Sequence, residues 1–498
     1  MGVIRRQGTK QTLLNFFGVF IGAISVIFIY PRDREIYGLA RFLIDSSLLL
    51  SPIALLGSQF ISVKFFPNFR DSKSGHHGFL TFLLEFSVIC LGVFLLAYFL
   101  FLDKPITTYF SSRGDLLKTY IPYVMPLAVI SAFTIFLARY TSNFGRIAVP
   151  FIFTNLIRKI ILPILIVGYL WQFFNVEGVV IGIFTMFLLG VIGIGIYLYR
   201  LGELHFPKIN RQKTRELWRQ MATYSLFAFA GTVGTGLATR IDIVMVTSLV
   251  DLESTGEYGI GLFIANVIAV PIIALGSISG PLISNAWKKG DLSYIAKIYQ
   301  SSSLILIIFG VLLLLIIVSS IDDLVTILPS DQPMTNLATV VGFLGLGKLV
   351  EMSISVNSQI INYSEWYKFN LIATLSLAIF NIVCNYLFIV TLGYGMVGAA
   401  VATFSSIILY SFVKYIFIYV KFKLQPFSKS TFQVLLIGIL LYFAIDSLNL
   451  PISAISRILL RSTIIGFIYL PLVFYLHLSS EYNELIKVTI KKIRSYLP

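Results

Sequence analysis

Charged side chains interrupt several of the long apolar stretches in this sequence. An ionised group at mid-bilayer costs roughly 2.5 to 3.5 kcal/mol on insertion scales, so it usually faces a hydrated cavity or a partner of opposite charge. A cationic route through apolar segments suits an anionic substrate, in particular a phosphate or pyrophosphate head group. The candidate substrate-binding cations are Arg41, Arg158, Lys159, Arg240 and Lys348.

Two of these cations have an acidic residue within one helical turn. Arg41 and Asp45 are four residues apart, and Lys348 and Glu351 are three apart, so each pair shares a helix face. A local ion pair is therefore the alternative to a role in binding. Asp45 and Glu351, together with Asp242, are candidates for tuning the cationic route or for binding a coupling proton or sodium ion, and the spacing does not decide between these roles.

The other cations lack such a neighbour. Arg240 and Asp242 are two residues apart and point to nearly opposite sides of a helix, so at least one of them needs another helix, water or substrate. Arg158 and Lys159 have no acidic residue within a turn. The alternatives are an interfacial position for Arg240 and snorkelling to the inner head groups for Arg158 and Lys159.

Enzyme signatures are missing from the sequence. It contains no phosphate-cradling Gly-Lys-Ser/Thr loop, no His-Glu-x-x-His motif and no paired-cysteine metal spacing. Cys90 and Cys384 lie in apolar runs and are predicted to be packing residues, and His76-His77 is predicted to be a solvated loop pair. We expect no catalytic residue, metal or cofactor, and a transporter without a nucleotide site must use an ion gradient, the membrane potential or consumption of its product.

The composition is that of a polytopic membrane protein. Of the 498 residues 57% are hydrophobic and only 12% are charged, and the mean hydropathy is +0.88, whereas a soluble domain is about one quarter charged. The formal charge of +15 is attributed to Lys and Arg in loops on one side of the membrane rather than to nucleic-acid binding. We predict an all-α fold that interacts with membrane lipids and not with nucleic acid.

About fourteen segments are long and apolar enough to span a bilayer, including an uncleaved first helix. Basic residues concentrate in the loops on the side of the N-terminus, which predicts that both termini are cytoplasmic. The candidate spans are 11–30, 38–63, 79–101, 119–138, 149–170, 177–199, 221–249, 257–283, 299–320, 335–355, 369–391, 395–419, 431–447 and 458–477.

An internal repeat links two halves of the chain. Tyr37-Gly38 before Pro52 matches Tyr258-Gly259 before Pro271, at a period of about 220 residues or six helices. An even helix number predicts two pseudo-symmetric lobes of the same orientation around a central cavity, with two extra C-terminal helices. The predicted divisions are 1–200 for the N-lobe, 201–219 for a cytoplasmic basic linker, 220–420 for the C-lobe, 421–478 for helices thirteen and fourteen, and 479–498 for a cytoplasmic basic tail.

The sequence resembles the polysaccharide and O-antigen flippases of the multidrug/oligosaccharidyl-lipid/polysaccharide (MOP) exporter superfamily. The resemblance spans nearly the whole chain and rests on the order and spacing of short motifs, which are Arg6-Gln7-Gly8, Glu35-Ile36-Tyr37-Gly38, Arg240-Ile241-Asp242, Gly256-Glu257-Tyr258-Gly259 and the openings at Gly178 and Gly398. The family's cavity cations correspond to Arg158, Lys159, Arg240 and Lys348 by position in the helices rather than by an invariant motif.

The resemblance implies alternating access that moves an undecaprenyl-pyrophosphate-linked oligosaccharide from the cytoplasmic to the periplasmic leaflet of a bacterial inner membrane. The product would feed lipopolysaccharide or another surface polysaccharide, with a polymerase and chain-length machinery as partners. The runner-up is a lipid II flippase, since these proteins also have fourteen helices. A multidrug antiporter and an assembly scaffold without transport are further alternatives.

Overall fold

The computed structural model describes residues 2–71, 74–448 and 451–494, and every regular element in these ranges is helical. The last four residues of the predicted basic tail, 495–498, lie outside the described residues. The chain divides into two compact units, residues 1–259 and 260–498. The prediction of an all-α polytopic membrane protein is confirmed.

The first unit contains eleven α-helices and the start of a twelfth. They are α1 (Gly2–Phe28), α2 (Arg34–Leu55), α3 (Ser58–Phe69), α4 (Phe79–Ala97), α5 (Asp103–Ser111), α6 (Asp115–Tyr120), α7 (Val124–Ser142), α8 (Ala148–Phe151), α9 (Ile157–Leu170), α10 (Val176–Arg200), α11 (Arg211–Leu249) and α12 (Leu252–Ile268), which continues into the second unit. Short 3-10 turns occur at Tyr30–Arg32, His76–Gly78 and Ile121–Tyr123, and π-helical turns at Tyr98–Leu102 and Ile152–Leu156.

The second unit contains the rest of α12 and nine further helices. They are α13 (Val270–Lys289), α14 (Leu292–Ile327), α15 (Leu337–Ser353), α16 (Asn357–Tyr363), α17 (Tyr367–Tyr386), α18 (Gly395–Phe422), α19 (Lys429–Asp446), α20 (Ala454–Tyr475) and α21 (Ser480–Arg494), with a third π-helical turn at Leu387–Thr391.

Within the described residues, twelve helices are long and apolar enough to cross a membrane, and α15 and α16, bent by 45°, make a thirteenth if they form one broken span. The predicted span 257–283 is the one of the fourteen that no single helix of this kind matches in the described structure. It is split between α12 and α13, because Pro271 has no backbone N–H with which to continue α12. The short predicted span 431–447 is confirmed by α19.

The predicted span 38–63 is also divided, between α2 and α3. Leu56 and Gly57 both take left-handed backbone angles, with φ of 46° and 79°. Glycine adopts this region without steric cost, and a Cβ at Gly57 would overlap the carbonyl oxygen of Ser225. The hydroxyl of Ser225 in turn donates to the carbonyl oxygen of Leu56. The break in the second span is therefore held by α11.

Helix starts follow local sequence signals. The side chains of Asp33, Asn175, Asn210 and Asp291 each accept a hydrogen bond from a backbone N–H three residues later, and Ser428 forms a reciprocal capping box with the side chain three residues on. Such caps satisfy N–H groups that have no partner inside the helix. They fix where α2, α10, α11, α14 and α19 begin.

The polar segment before α11 is bound to the turn that precedes α4. The imidazole of His76 lies 2.8 Å from a carboxylate oxygen of Glu203, and the backbone N–H of Asn210 donates to the carbonyl oxygen of His77 at 3.0 Å. His76 is buried, so the prediction of a solvated histidine pair is wrong for this residue. The sequence did not reveal it because Glu203 is 127 residues away.

Each unit has its own apolar core. Aromatic rings dominate one cluster of the first unit, where Phe69 and Phe79 stack at 4.4 Å and Phe66 meets Tyr140 edge-on at 5.9 Å. In the second unit α14 packs against α19 and α20, and the buried Tyr469 donates its hydroxyl to the carbonyl oxygen of Ile308. These cores hold the helices that carry the charged residues described below.

Replacing Asp323 with asparagine is expected to lower the free energy of unfolding by about 2 kcal/mol. Asp323 of α14 is buried and pairs with Arg457 and Arg461 of α20 at 2.7 and 3.3 Å, so the change removes the charge that joins these helices. Thermal denaturation of the detergent-solubilised protein measures the effect. The neighbouring Asp322 is exposed, and Asp322→Asn serves as the control. Equal melting midpoints for both variants would contradict the assignment.

Candidate functional site

A cavity of about 560 Å³ lies within the first unit. Its wall is formed by α1, α2, α3, α7, α11 and the segment from α8 to α9. Three guanidinium groups line it, those of Arg139, Arg158 and Arg240, together with hydroxyl and amide side chains. No carboxylate is among the lining residues that the structure describes. The cavity therefore has the charge expected of an anion-binding site.

Arg240 of α11 forms an ion pair with Asp45 of α2. Asp45 also lies 2.8 Å from Arg41 through its second carboxylate oxygen, so one buried carboxylate is shared by two arginines. This arrangement explains how Arg240 can be tolerated although Asp242 points elsewhere. Of the two arginines, Arg240 lines the cavity, whereas Arg41 is linked to it through Asp45.

Arg158 follows directly on the π-helical turn Ile152–Leu156, and its side chain reaches the same cavity. Its guanidinium carbon lies 5.6 Å from the ring centre of Phe187, which is within the range of a cation–π contact. Arg240 lines the same cavity as Arg158. Among the described residues Arg158 has no carboxylate within ion-pair distance, which leaves its charge available to a ligand.

Lys159 takes a different direction from its neighbour Arg158. Its methylene chain packs beside Gly18 of α1, where a Cβ would lie 3.0 Å from the Lys159 Cδ atom. Consecutive residues of a helix point about 100° apart, and Lys159 is not among the residues that line the cavity. The predicted pair of cavity cations is therefore separated, with Arg158 at the cavity and Lys159 against α1.

Asp242 is buried on the other side of α11 from Arg240. The hydroxyl of Tyr258 donates to its Oδ2 atom at 3.2 Å, and both side chains are inaccessible to solvent. The inference from spacing that Arg240 and Asp242 need different partners agrees with this geometry. Asp242 does not line the cavity.

Lys348 and Glu351 lie in the second unit, on α15. The Lys348 Nζ atom donates to Glu351 Oε2 at 3.1 Å, as their spacing of three residues allows. Glu351 is about half exposed. The local ion pair that the sequence left as an alternative is therefore present, and a role of either residue in substrate binding or ion coupling stays a prediction.

Sequence reasoning overlooked two buried ionic sites. Lys414 of α18 is fully buried and donates to the hydroxyls of Ser358 and Tyr410, at 2.5 and 2.9 Å. No spacing signal links Lys414 to Ser358, because the two residues are 56 positions apart.

The second overlooked site joins the starts of α2 and α12. Arg34 is buried and pairs with Glu257 at 2.8 Å and also with Glu253. The helices approach so closely that a Cβ at Gly38 would overlap the carbonyl oxygen of Leu252. The glycines of the repeated Tyr-Gly motifs are a sequence signal for this close approach of two helices. No sequence signal identifies the partners of Arg34.

The architecture of this chain is similar to that of proteins of known structure. A family model described as MatE matches residues 225–387. The solved structure of the lipid II flippase MurJ in an inward closed conformation superposes with a TM-score of 0.71 at 15% identity, covering 95% of this chain and 99% of that one. The protein has the MurJ and MATE transporter fold. The resemblance to the MOP superfamily is thereby confirmed for the fold.

Two further proteins are similar to this chain. The inward-facing conformation of a multidrug resistance MATE family transporter of that superfamily superposes with a TM-score of 0.61 at 14% identity, covering 83% of this chain and 94% of that one. An uncharacterised membrane protein of Methanocaldococcus jannaschii is 23% identical over 305 residues, or 59% of this chain. The match spans 58% of that relative's length. By their names, the proteins of known structure are transporters and flippases rather than enzymes.

Proposed function

We propose that the protein translocates an undecaprenyl-pyrophosphate-linked oligosaccharide across a membrane. The observation that carries this proposal is the cavity guanidinium of Arg158, which has no carboxylate partner among the described residues and lines the same cavity as Arg240. A guanidinium group matches the oxygens of a phosphate with two parallel hydrogen bonds. A pyrophosphate offers oxygens to both arginines.

The direction of transport and the cellular setting belong to the same proposal. Movement from the cytoplasmic to the periplasmic leaflet of a bacterial inner membrane, with both termini cytoplasmic, accords with the distribution of basic residues along the sequence. A polysaccharide polymerase and chain-length machinery would consume the product. Asp45, Asp242 and Glu351 remain the candidates for proton or sodium coupling, and Asp45 is the one that contacts a cavity arginine.

A lipid II flippase is the second candidate. The superposition on MurJ over 95% of this chain favours it, and lipid II presents the same pyrophosphate chemistry to Arg158. Transport of cationic drugs is disfavoured, because three guanidinium groups would repel a cation from the cavity.

Reconstitution into proteoliposomes tests the proposal. Fluorescent undecaprenyl-pyrophosphate oligosaccharide and fluorescent lipid II are supplied separately, and a membrane-impermeant quencher reports the leaflet of each. We expect faster movement of the first lipid than in protein-free vesicles, and acceleration by a proton or sodium gradient would identify the coupling ion. Selective movement of lipid II would establish the second candidate, and movement of neither would contradict both.

A further inference from the structure

The threonines of α11 present hydrogen-bond acceptors along one wall of the cavity. The hydroxyls of Thr232, Thr235 and Thr239 donate to the carbonyl oxygens of Ala228, Gly231 and Thr235 at 2.8, 2.8 and 2.9 Å. A hydroxyl has one proton and two lone pairs. While the proton is donated to the helix backbone, each of these oxygens presents its lone pairs to the cavity and accepts hydrogen bonds from it.

Other polar side chains of the wall also present acceptor oxygens to the cavity. Ser51 and Thr154 also donate to carbonyl oxygens of their own helical turns, at 3.2 and 3.0 Å. Gln59 is only 2% exposed, and its Oε1 atom has no hydrogen-bond donor among the described residues. Gln59 lines the cavity, so its amide oxygen adds a further acceptor to this wall, which a donor from water or from a ligand would satisfy.

The donors of the cavity are concentrated in its arginines. Guanidinium groups donate only, and those of Arg158 and Arg240 lie next to the threonine wall, with Arg240 directly following Thr239. Phosphate oxygens match these donors but would face the threonine oxygens acceptor to acceptor. A metal cation would match the threonines but would be repelled by the arginines. A ligand with an anionic group and several hydroxyls satisfies both parts.

We propose that Thr232, Thr235 and Thr239, with Gln59, form the subsite for the sugar hydroxyls of an anionic glycolipid whose phosphate lies at Arg158. The three threonines extend over about 10 Å of helix, so they can receive hydroxyls from more than one sugar position. This inference rests on the proposed function and adds the part of the cavity that distinguishes a glycosylated lipid from the bare polyprenyl pyrophosphate.

The test replaces all three threonines with valine, which keeps the branched shape and removes the acceptor oxygens. Binding to the full-length protein in nanodiscs is measured with undecaprenyl pyrophosphate carrying a disaccharide and with bare undecaprenyl pyrophosphate. The triple variant is expected to bind the glycosylated probe about 10- to 100-fold more weakly, from the loss of three hydrogen bonds. Affinity for the bare probe should stay within about twofold.

Two control variants isolate the acceptor oxygens. Thr223→Val changes an exposed threonine of the same helix that also donates to its own backbone but does not line the cavity, and it should leave both affinities unchanged. The triple change to serine keeps the hydroxyls and should retain binding of the glycosylated probe. Wild-type affinity of the triple valine variant for both probes, or an equal loss for both, would overturn the subsite. Failure of the wild-type protein to bind either probe would instead remove the proposed function.

Discussion

Replacing Arg158 with glutamine is expected to lower the initial rate of lipid-linked oligosaccharide translocation about 100-fold. Glutamine retains a polar side chain of similar reach but removes the charge-assisted hydrogen bonds that a pyrophosphate would receive. Unlike Arg240, Arg158 has no protein carboxylate at ion-pair distance in the described structure, so its charge is available to a substrate. The proteoliposome assay measures the rate directly.

The Arg158 prediction has a charge-matched control. Arg200→Gln removes the same charge from an exposed position at the end of α10 and should leave the rate unchanged. Arg158→Lys retains the charge without the planar fork and should recover part of the rate. Wild-type transport by Arg158→Gln would refute the role of this residue. Failure of the wild-type protein itself to move the lipid would instead favour a scaffold over a transporter.

Replacing Arg34 with alanine is expected to destabilise the protein by roughly 3 kcal/mol, the second large effect. Arg34 and Glu257 are both buried, and the change leaves the carboxylate of Glu257 without the guanidinium that compensates it. Removing one member of a buried ion pair is costly, whereas replacing both by apolar residues is often neutral. We therefore expect the double variant Arg34→Met, Glu257→Leu to regain most of the stability.

Thermal denaturation in detergent measures these differences. Arg32→Ala is the matched control, because Arg32 is exposed two residues earlier and contacts only a backbone carbonyl oxygen. A melting midpoint for Arg34→Ala equal to that of Arg32→Ala would show that the ion pair contributes nothing. A double variant less stable than Arg34→Ala would show that the charges are needed for packing α2 against α12.

Most of the helical architecture could be predicted from the sequence, because a spanning helix must be long and apolar to satisfy its backbone groups within the bilayer. The positions at which a predicted span is divided into two helices were harder to predict. Pro52 and Pro163 lie inside uninterrupted helices, whereas α2 ends at Leu55, directly before Leu56, a residue type that rarely takes positive φ. A tertiary contact with Ser225 decides that position, and single-sequence patterns do not contain it.

In the candidate site, too, local contacts could be predicted from the sequence and tertiary contacts could not. Helix periodicity predicts the pairs Arg41–Asp45 and Lys348–Glu351, because their members are within one turn, and both pairs are present. The contact between Arg240 and Asp45 joins residues 195 positions apart and depends on the packing of α11 against α2. Residue type and apolar context indicated that these charged residues are candidates for function, but only the packing of the helices identifies their partners.

The π-helical turn Ile152–Leu156 has a consequence for how this cavity acquires its charge. A π-helical turn is equivalent to one extra residue in an α-helix, and one residue corresponds to about 100° of rotation. In an uninterrupted helix that kept the orientation of Ala148–Phe151, Ile157 would point where Arg158 now points, and Arg158 would turn toward α1. A single inserted codon is thus sufficient to move an arginine from a helix contact into the cavity without changing any side chain.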